Sequence, residues 1–190
     1  MKKLLIPLAF LGLSALAPAQ AADYVLDIQG AHAFIQFRIK HLGYSWLYGR
    51  FNDFDGKFSY DEANPGASRI EVNIRTQSVD SNHAERDKHL RGKDFLNVSK
   101  YPTATFVGSG FEDKGDGKAV LKGQLTLHGV TRDIRIDVEK IGGGPDPWGG
   151  ERMGFFGTTT LALKDYGINF DLGPASREVY LDLSVEGIKQ

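Results

Sequence analysis

Beyond residue 23 the dominant period of the chain is two. Ala33, Ile35, Phe37 and Ile39 alternate with Phe34, Gln36, Arg38 and Lys40, so one face of that segment is apolar and the other largely polar. The alternation recurs at Phe54, Gly56, Phe58 and Tyr60, and at Ile70, Val72, Ile74 and Thr76. It continues through Ala104, Phe106 and Gly108, then Ala119, Leu121, Gly123, Leu125 and Leu127, then Ile134, Ile136 and Val138. A run over 156–163, with Phe156 on its apolar face, and the series Val179, Leu181, Leu183 and Val185 complete the pattern. Counting a short run at 24–28, this predicts eight or nine strands, with His128-Gly129 as a tight hairpin turn. One segment departs from the period. Asn82-His83-Ala84-Glu85 has the form of a capping box and 84–93 is rich in helix formers, which predicts one short helix stopped near Gly92, with Leu90 as its core contact. Antiparallel strands with one apolar face bury those faces as a sandwich or as a closed barrel, and periodicity admits both. Ala33, Ala104, Gly108 and Gly123 on the apolar face either complement the phenylalanine rings or leave a cavity.

Composition narrows the function classes. Met1-Lys2-Lys3, the apolar run 4–17 and Ala19-Gln20-Ala21 form the tripartite pattern of a secretory signal over residues 1–21, leaving one domain over 22–190. The apolar run is shorter than the ~20 residues that span a bilayer, so stable membrane insertion is not expected. The net charge is −1, and removing Lys2 and Lys3 makes it −3, with no basic excess for a nucleic-acid footprint. The chain has no cysteine, which excludes disulfides and thiol catalysis. These features predict an exported, periplasmic domain, monomeric or homodimeric, held by its core alone.

No local motif matches a catalytic or metal template. In the segment 83–89 the pairs His83/Asp87 and Glu85/His89 fall on nearly opposite sides of a helix, so no metal site is predicted there. The glycine-rich stretch 142–150 lacks the Lys-Ser/Thr pair of a phosphate loop and reads as a long connection between strands, whose Trp148 could cap an opening. An enzyme would have to assemble its acids and bases from distant positions, His41, Asp87, His89 and His128 being the first candidates. The segment 42–51 holds Tyr44, Trp46, Tyr48 and Phe51 and fits either folded-back core or the mouth of an apolar pocket.

Several motifs in order along the chain resemble the YceI-like family of bacterial periplasmic proteins. They are His32-Ala33-Phe34-Ile35-Gln36-Phe37 with His41-Leu42-Gly43, Arg86-Asp87-Lys88-His89-Leu90-Arg91 with Asp94-Phe95-Leu96, and Tyr101-Pro102-Thr103-Ala104-Thr105-Phe106. Leu125-Thr126-Leu127-His128-Gly129-Val130-Thr131 and Asp171-Leu172-Gly173-Pro174-Ala175-Ser176 follow. The resemblance implies an eight-stranded antiparallel, lipocalin-like barrel that binds a polyisoprenoid lipid, a prenyl quinone or polyprenyl phosphate, in its bore. It implies no catalytic residue and no cofactor beyond that ligand. On this reading Ile35, Phe37, Ile39, Phe58, Phe106, Leu125 and Phe156 line the bore, and Leu42, Tyr44, Trp46 and Phe51 stand near its opening. His41 with Arg86 or Arg91, Arg91 being the first choice, is expected at the head-group end, with Asp87 and Asp94 pairing the other arginine. The alternatives are a hydrolase or isoprenoid-modifying enzyme, and a stress-response interaction protein with an incidental cavity.

Overall fold

A computed structural model describes residues 21–170 and 172–190, so nearly all of the expected signal segment, residues 1–20, lies outside the described residues, as does Asp171. The strands are β1 (Ala22–Leu26), β2 (Phe34–His41), β3 (Ser45–Phe51), β4 (Phe54–Tyr60), β5 (Arg69–Arg75), β6 (Val79–Asp80), β7 (Thr103–Gly115), β8 (Lys118–Leu127), β9 (Val130–Pro145), β10 (Glu151–Ala162) and β11 (Glu178–Lys189). One α-helix, α1 (Ala84–Arg91), lies between β6 and β7.

These eleven segments make an eight-stranded antiparallel closed barrel, because three wall positions are split strands. β1 and β2 pair successive stretches of β11, with Leu26 opposite Gly187 and Phe34 opposite Ser184. β4 pairs β1 and β3 pairs β2; β5 then pairs β4 and β6 pairs β3. β7 to β10 continue the wall, and β11 meets β10 on one side and β1 with β2 on the other, so the ring closes, the short β6 pairing β3 alone. The expected count of eight or nine strands therefore corresponds to eight wall positions built from eleven pieces. Two tight turns, Asp116-Gly117 and His128-Gly129, have positive φ at both residues, as a two-residue hairpin with right-twisted strands requires.

The apolar parity read from the sequence matches the interior on β2, β4, β5, β7, β8, β9 and β11, but β10 is a correction. Phe155 is buried and Phe156 is 37% exposed. Phe155 stands opposite inward Val185, whereas Phe156 pairs with Glu139, and in a strand adjacent residues must face opposite ways. Several inward glycines hold ring faces: a Cβ on Gly49 would lie 2.2 Å from the Phe37 ring, one on Gly123 2.5 Å from Phe106, and one on Gly187 2.4 Å from Phe58. Gly49→Ala is accordingly expected to force the Phe37 ring aside and to destabilise the fold by about 1–3 kcal/mol, measured by urea denaturation.

Helix α1 begins at Ala84, where the sequence predicts it, and ends at Arg91, two residues short of the predicted end. His83 is the N-cap, its Nδ1 accepting the Arg86 amide at 3.2 Å, while Asn82 sits outside with φ 61°; Gly92 ends the helix. Buried Asp87 accepts from the Ser81 amide at 2.8 Å and the Ser81 hydroxyl at 2.5 Å, which fixes the helix beside β6 at one end of the barrel. Connections 42–44, 76–102, 128–129 and 163–177 gather at this end, and 61–68, 116–117 and 146–150 at the other.

Candidate functional site: an apolar bore

Alternating inward side chains from every wall position leave a bore in two adjoining compartments that share Ile35, Ile74, Leu125 and Leu181 in their walls. The outer one, about 300 Å³, runs from these residues past Phe37, Ile39, Leu47 and Phe51 to α1 and the 163–172 segment. The inner one, about 110 Å³, is lined entirely by apolar walls except at Ser184 and includes Phe58, Phe106, Ile136 and Val138. Between Val179 and Val185 of β11 the lining spans six residues, ~20 Å along the strand.

An aromatic cluster forms the floor. Tyr24 stacks on Phe58 with centroids 4.8 Å apart, Phe58 and Tyr60 meet Phe155 edge-on at 5.8 and 5.1 Å, and Phe111 stacks on Phe155 at 5.6 Å. Burial raises the hydroxyl pKa values of Tyr24 and Tyr60, so both stay neutral. The polar lining sits at the opposite end, where His41, Arg86 and His89 border the outer compartment. Arg86 donates from Nε to Ser81 Oγ at 2.8 Å and from Nη2 to the Ser81 carbonyl at 2.5 Å, while its Nη1 has no hydrogen-bond partner among the described residues. His89 stands edge-on to Phe95 and Phe170 and 3.8 Å from Asp94. Leu163, Ile168 and Leu172 continue from the bore into a polar groove of about 520 Å³ along Lys40, Lys164 and Tyr180.

Of the expected lining residues, Ile35, Phe37, Ile39, His41, Phe51, Phe58, Phe106 and Leu125 border the bore. Five do not. Phe156 faces outward for the parity reason given above. Leu42 is 53% and Tyr44 87% exposed because the β2–β3 turn, with φ positive at Leu42 and Gly43, projects them away from the wall. Trp46 lies on the outer face of β3, edge-on to Tyr180 at 5.4 Å, because its neighbour Leu47 takes the inward position. Arg91 is turned from the bore by two backbone carbonyls, Gln77 O at 2.8 Å and Val79 O at 2.7 Å. Asp87 grips Ser81 and Asp94 approaches His89, so neither carboxylate pairs an arginine as expected. Sequence reasoning missed Leu47 and Phe155, which strand parity could have found, Phe111, which an irregularity between Gly108 and Phe111 moves onto the inward face, and Phe95, Ile168 and Leu172, which lie in irregular segments without a period.

The four side chains suspected of catalysis are not assembled. His41 and His89 border the bore, Asp87 is buried against Ser81, and His128 bonds through Nδ1 to the Tyr166 carbonyl at 2.9 Å beside the Tyr101 ring. Trp148 lies at the floor end, 76% exposed, with the Arg152 guanidinium 5.2 Å from its ring, and caps no opening. Asp27, His32 and Glu186 bring three potential ligand atoms within 4.8 Å of one another. Arg152 Nη1, 2.6 Å from Asp27 and 2.5 Å from Glu186, already supplies the positive charge of that cluster.

A closed eight-stranded barrel with a blind apolar bore defines a lipocalin-like architecture. The chain belongs to the YceI-like family, whose domain model matches residues 24–187. UPF0312 proteins of Shewanella putrefaciens, 58% identical over the full length of both chains, and of Pseudomonas aeruginosa, 64% identical over 90% of each, are among its relatives. The crystal structure of a Campylobacter jejuni YCEI protein is similar at 30% identity, with TM-score 0.72 over 80% of this chain and 90% of that one. Burkholderia cenocepacia BcnA shares the fold at 20% identity, with TM-score 0.74 over 85% of this chain and 98% of that one. A polyisoprenoid binding domain from Saccharophagus degradans, implicated in plant cell wall breakdown, shares it at 17% identity, with TM-score 0.62 over 90% of this chain and all of that one. No helix among the described residues is long and apolar enough to cross a membrane.

Proposed function

We propose that this protein is a periplasmic carrier or sequestering protein that encloses the tail of a polyisoprenoid lipid in its bore and leaves the polar head at the His41–Arg86–His89 end. The observation that carries this reading is the separation of chemistry along the bore: apolar walls to an aromatic floor, and ring nitrogens and a guanidinium only at the mouth. Burying a long hydrocarbon gains ~25 cal/mol per Å² without requiring hydrogen bonds, which suits walls that offer almost none. The polyisoprenoid named for the Saccharophagus domain of the same fold supports a branched prenyl tail. Binding rather than catalysis is favoured because the candidate acids and bases are dispersed, and the signal segment supports the periplasm.

Arg86, not Arg91, is the arginine this reading assigns to the head group. Titration of delipidated protein with a polyprenyl phosphate and a prenyl quinone of equal tail length tests it. Arg86→Ala is expected to weaken the phosphate about tenfold or more, the value of a charge-assisted hydrogen bond, and the quinone much less. Equal losses for both, or no affinity of the unaltered protein for either, would count against the assignment or the function respectively. A melting curve of the variant separates head-group loss from loosening of Ser81.

A further inference from the structure

The mouth of the bore is surrounded by exposed rings that packing does not require. Tyr44 is 87% exposed, Tyr48 58%, Leu42 53% and Trp46 41%. This turn is fixed rather than frayed: the Ser176 hydroxyl donates to the Lys40 carbonyl at 2.5 Å, and the Trp46 ring is held by Tyr180 with Arg38 and Lys40 over it at 5.2 and 5.6 Å. Phe170 and Leu172, 44% and 38% exposed, continue the patch across the opening. Tyrosine and tryptophan with adjacent lysine and arginine form the side-chain set that partitions into the headgroup layer of a bilayer.

Charge is divided along the barrel in the matching sense. At the mouth end, the described residues of 40–46, 76–102, 128–132 and 163–178 contain nine Lys and Arg against six Asp and Glu. At the floor end, residues 22–24, 59–69, 112–118, 139–152 and 186–190 contain six against ten. A chain of slight negative net charge thus presents its only cation-rich end where the bore opens. Of the mouth carboxylates, Asp87 is buried against Ser81, and Glu85, Asp165 and Glu178 are exposed.

We infer that the β2–β3 turn and the surrounding mouth dock on an anionic phospholipid bilayer, with Tyr44 and Trp46 seated in its interface, so that the bore opens directly onto the membrane. The inference goes beyond the proposed ligand and would hold for any membrane-derived apolar cargo. Trp46 lies two residues from Tyr44, ~7 Å along the strand, within the ~5–10 Å depth of interfacial insertion. An orientation with the floor toward the membrane would bring an end with ten Asp and Glu against six Lys and Arg to an anionic surface.

The two tryptophans stand at opposite ends and report the orientation. With vesicles of phosphatidylcholine and phosphatidylglycerol carrying brominated acyl chains, the Trp148→Phe protein, which retains Trp46, should be quenched, and the Trp46→Phe protein, which retains Trp148, should not. On pure phosphatidylcholine the quenching should fall, and Tyr44→Glu should weaken vesicle binding about tenfold while leaving binding of a water-soluble short prenyl analogue unchanged. Unquenched Trp46, equal quenching of both tryptophans, or Trp46 emission that changes with protein concentration without vesicles, the sign of a second copy on this face, would each overturn the inference. Docking without prenyl binding would refute the proposed function alone, and prenyl binding without docking would refute this inference alone.

Discussion

Leu181→Trp is expected to divide the bore and to abolish binding of long prenyl chains while sparing short ones. Leu181 lines both compartments together with Ile35, Ile74 and Leu125, so an indole there is expected to fill the space where they meet. A ligand confined to the outer compartment leaves its distal tail in water. Exposing ~100 Å² of tail costs about 2.5 kcal/mol at 25 cal/mol per Å², which is close to a hundredfold in affinity. A two-unit prenyl alcohol that fits the outer compartment should bind the variant nearly as well as the unaltered protein. Competition against a fluorescent apolar probe measures both, and near-native far-ultraviolet dichroism verifies the fold. Equal losses for long and short chains would mean that tail length is not read by the inner compartment.

The second large effect concerns stability. Arg152 of β10 joins β11 and two connecting segments at the floor end: its Nη1 donates to Asp27 at 2.6 Å and Glu186 at 2.5 Å, and its Nε to Asp146 at 3.0 Å. Asp27 is only 3% exposed and also bonds His32 at 2.8 Å and the Gly30 amide at 2.8 Å. The hydrogen bonds from His32 and then Arg152 hold its pKa at about 2, below the ordinary 3.8. Arg152→Ala leaves that carboxylate buried without its strongest cation, and a loss of about 3 kcal/mol is expected at pH 7. The depressed pKa gives the sign of the pH dependence: the stabilisation from Asp27 is present above pH 4 and fades as pH falls through 2. The difference between the variant and the unaltered protein should therefore narrow on acidification below pH 4, where the stranded carboxylate takes up a proton. Urea denaturation at pH 7 and pH 3 measures it, and a difference that widened toward acid would refute the role given to Asp27.

How far the sequence made this legible depends on the kind of contact. Strand parity is written locally, in Ile35/Phe37/Ile39 or Leu121/Leu125/Leu127, because a period of two assigns faces without tertiary information. At Phe155-Phe156 two rings are adjacent, and the correct parity required reading back from Leu161 and Met153, both buried on the odd positions. Barrel closure was not legible in the pattern, since β1 and β2 share one partner strand only in the folded chain; the family resemblance supplied it. The mouth was the least legible part. Arg86 and Arg91 are equally cationic in the sequence, and only the carbonyls of Gln77 and Val79, brought up by the short turn before β6, decide that Arg91 faces away. Likewise the aromatic density of 42–51 indicated a mouth, but the positive φ values at Leu42 and Gly43 turn Tyr44 to its outer rim rather than its interior.

The central claim, that the bore holds a prenyl chain, is tested most directly by native mass spectrometry of the protein released from the periplasm of its own host without detergent. The account predicts one bound lipid per chain whose tail fragments in isoprene steps and which is missing from the Leu181→Trp protein. A chain that is repeatedly empty, or one that carries only straight-chain fatty acids or phospholipids in the bore, would contradict it.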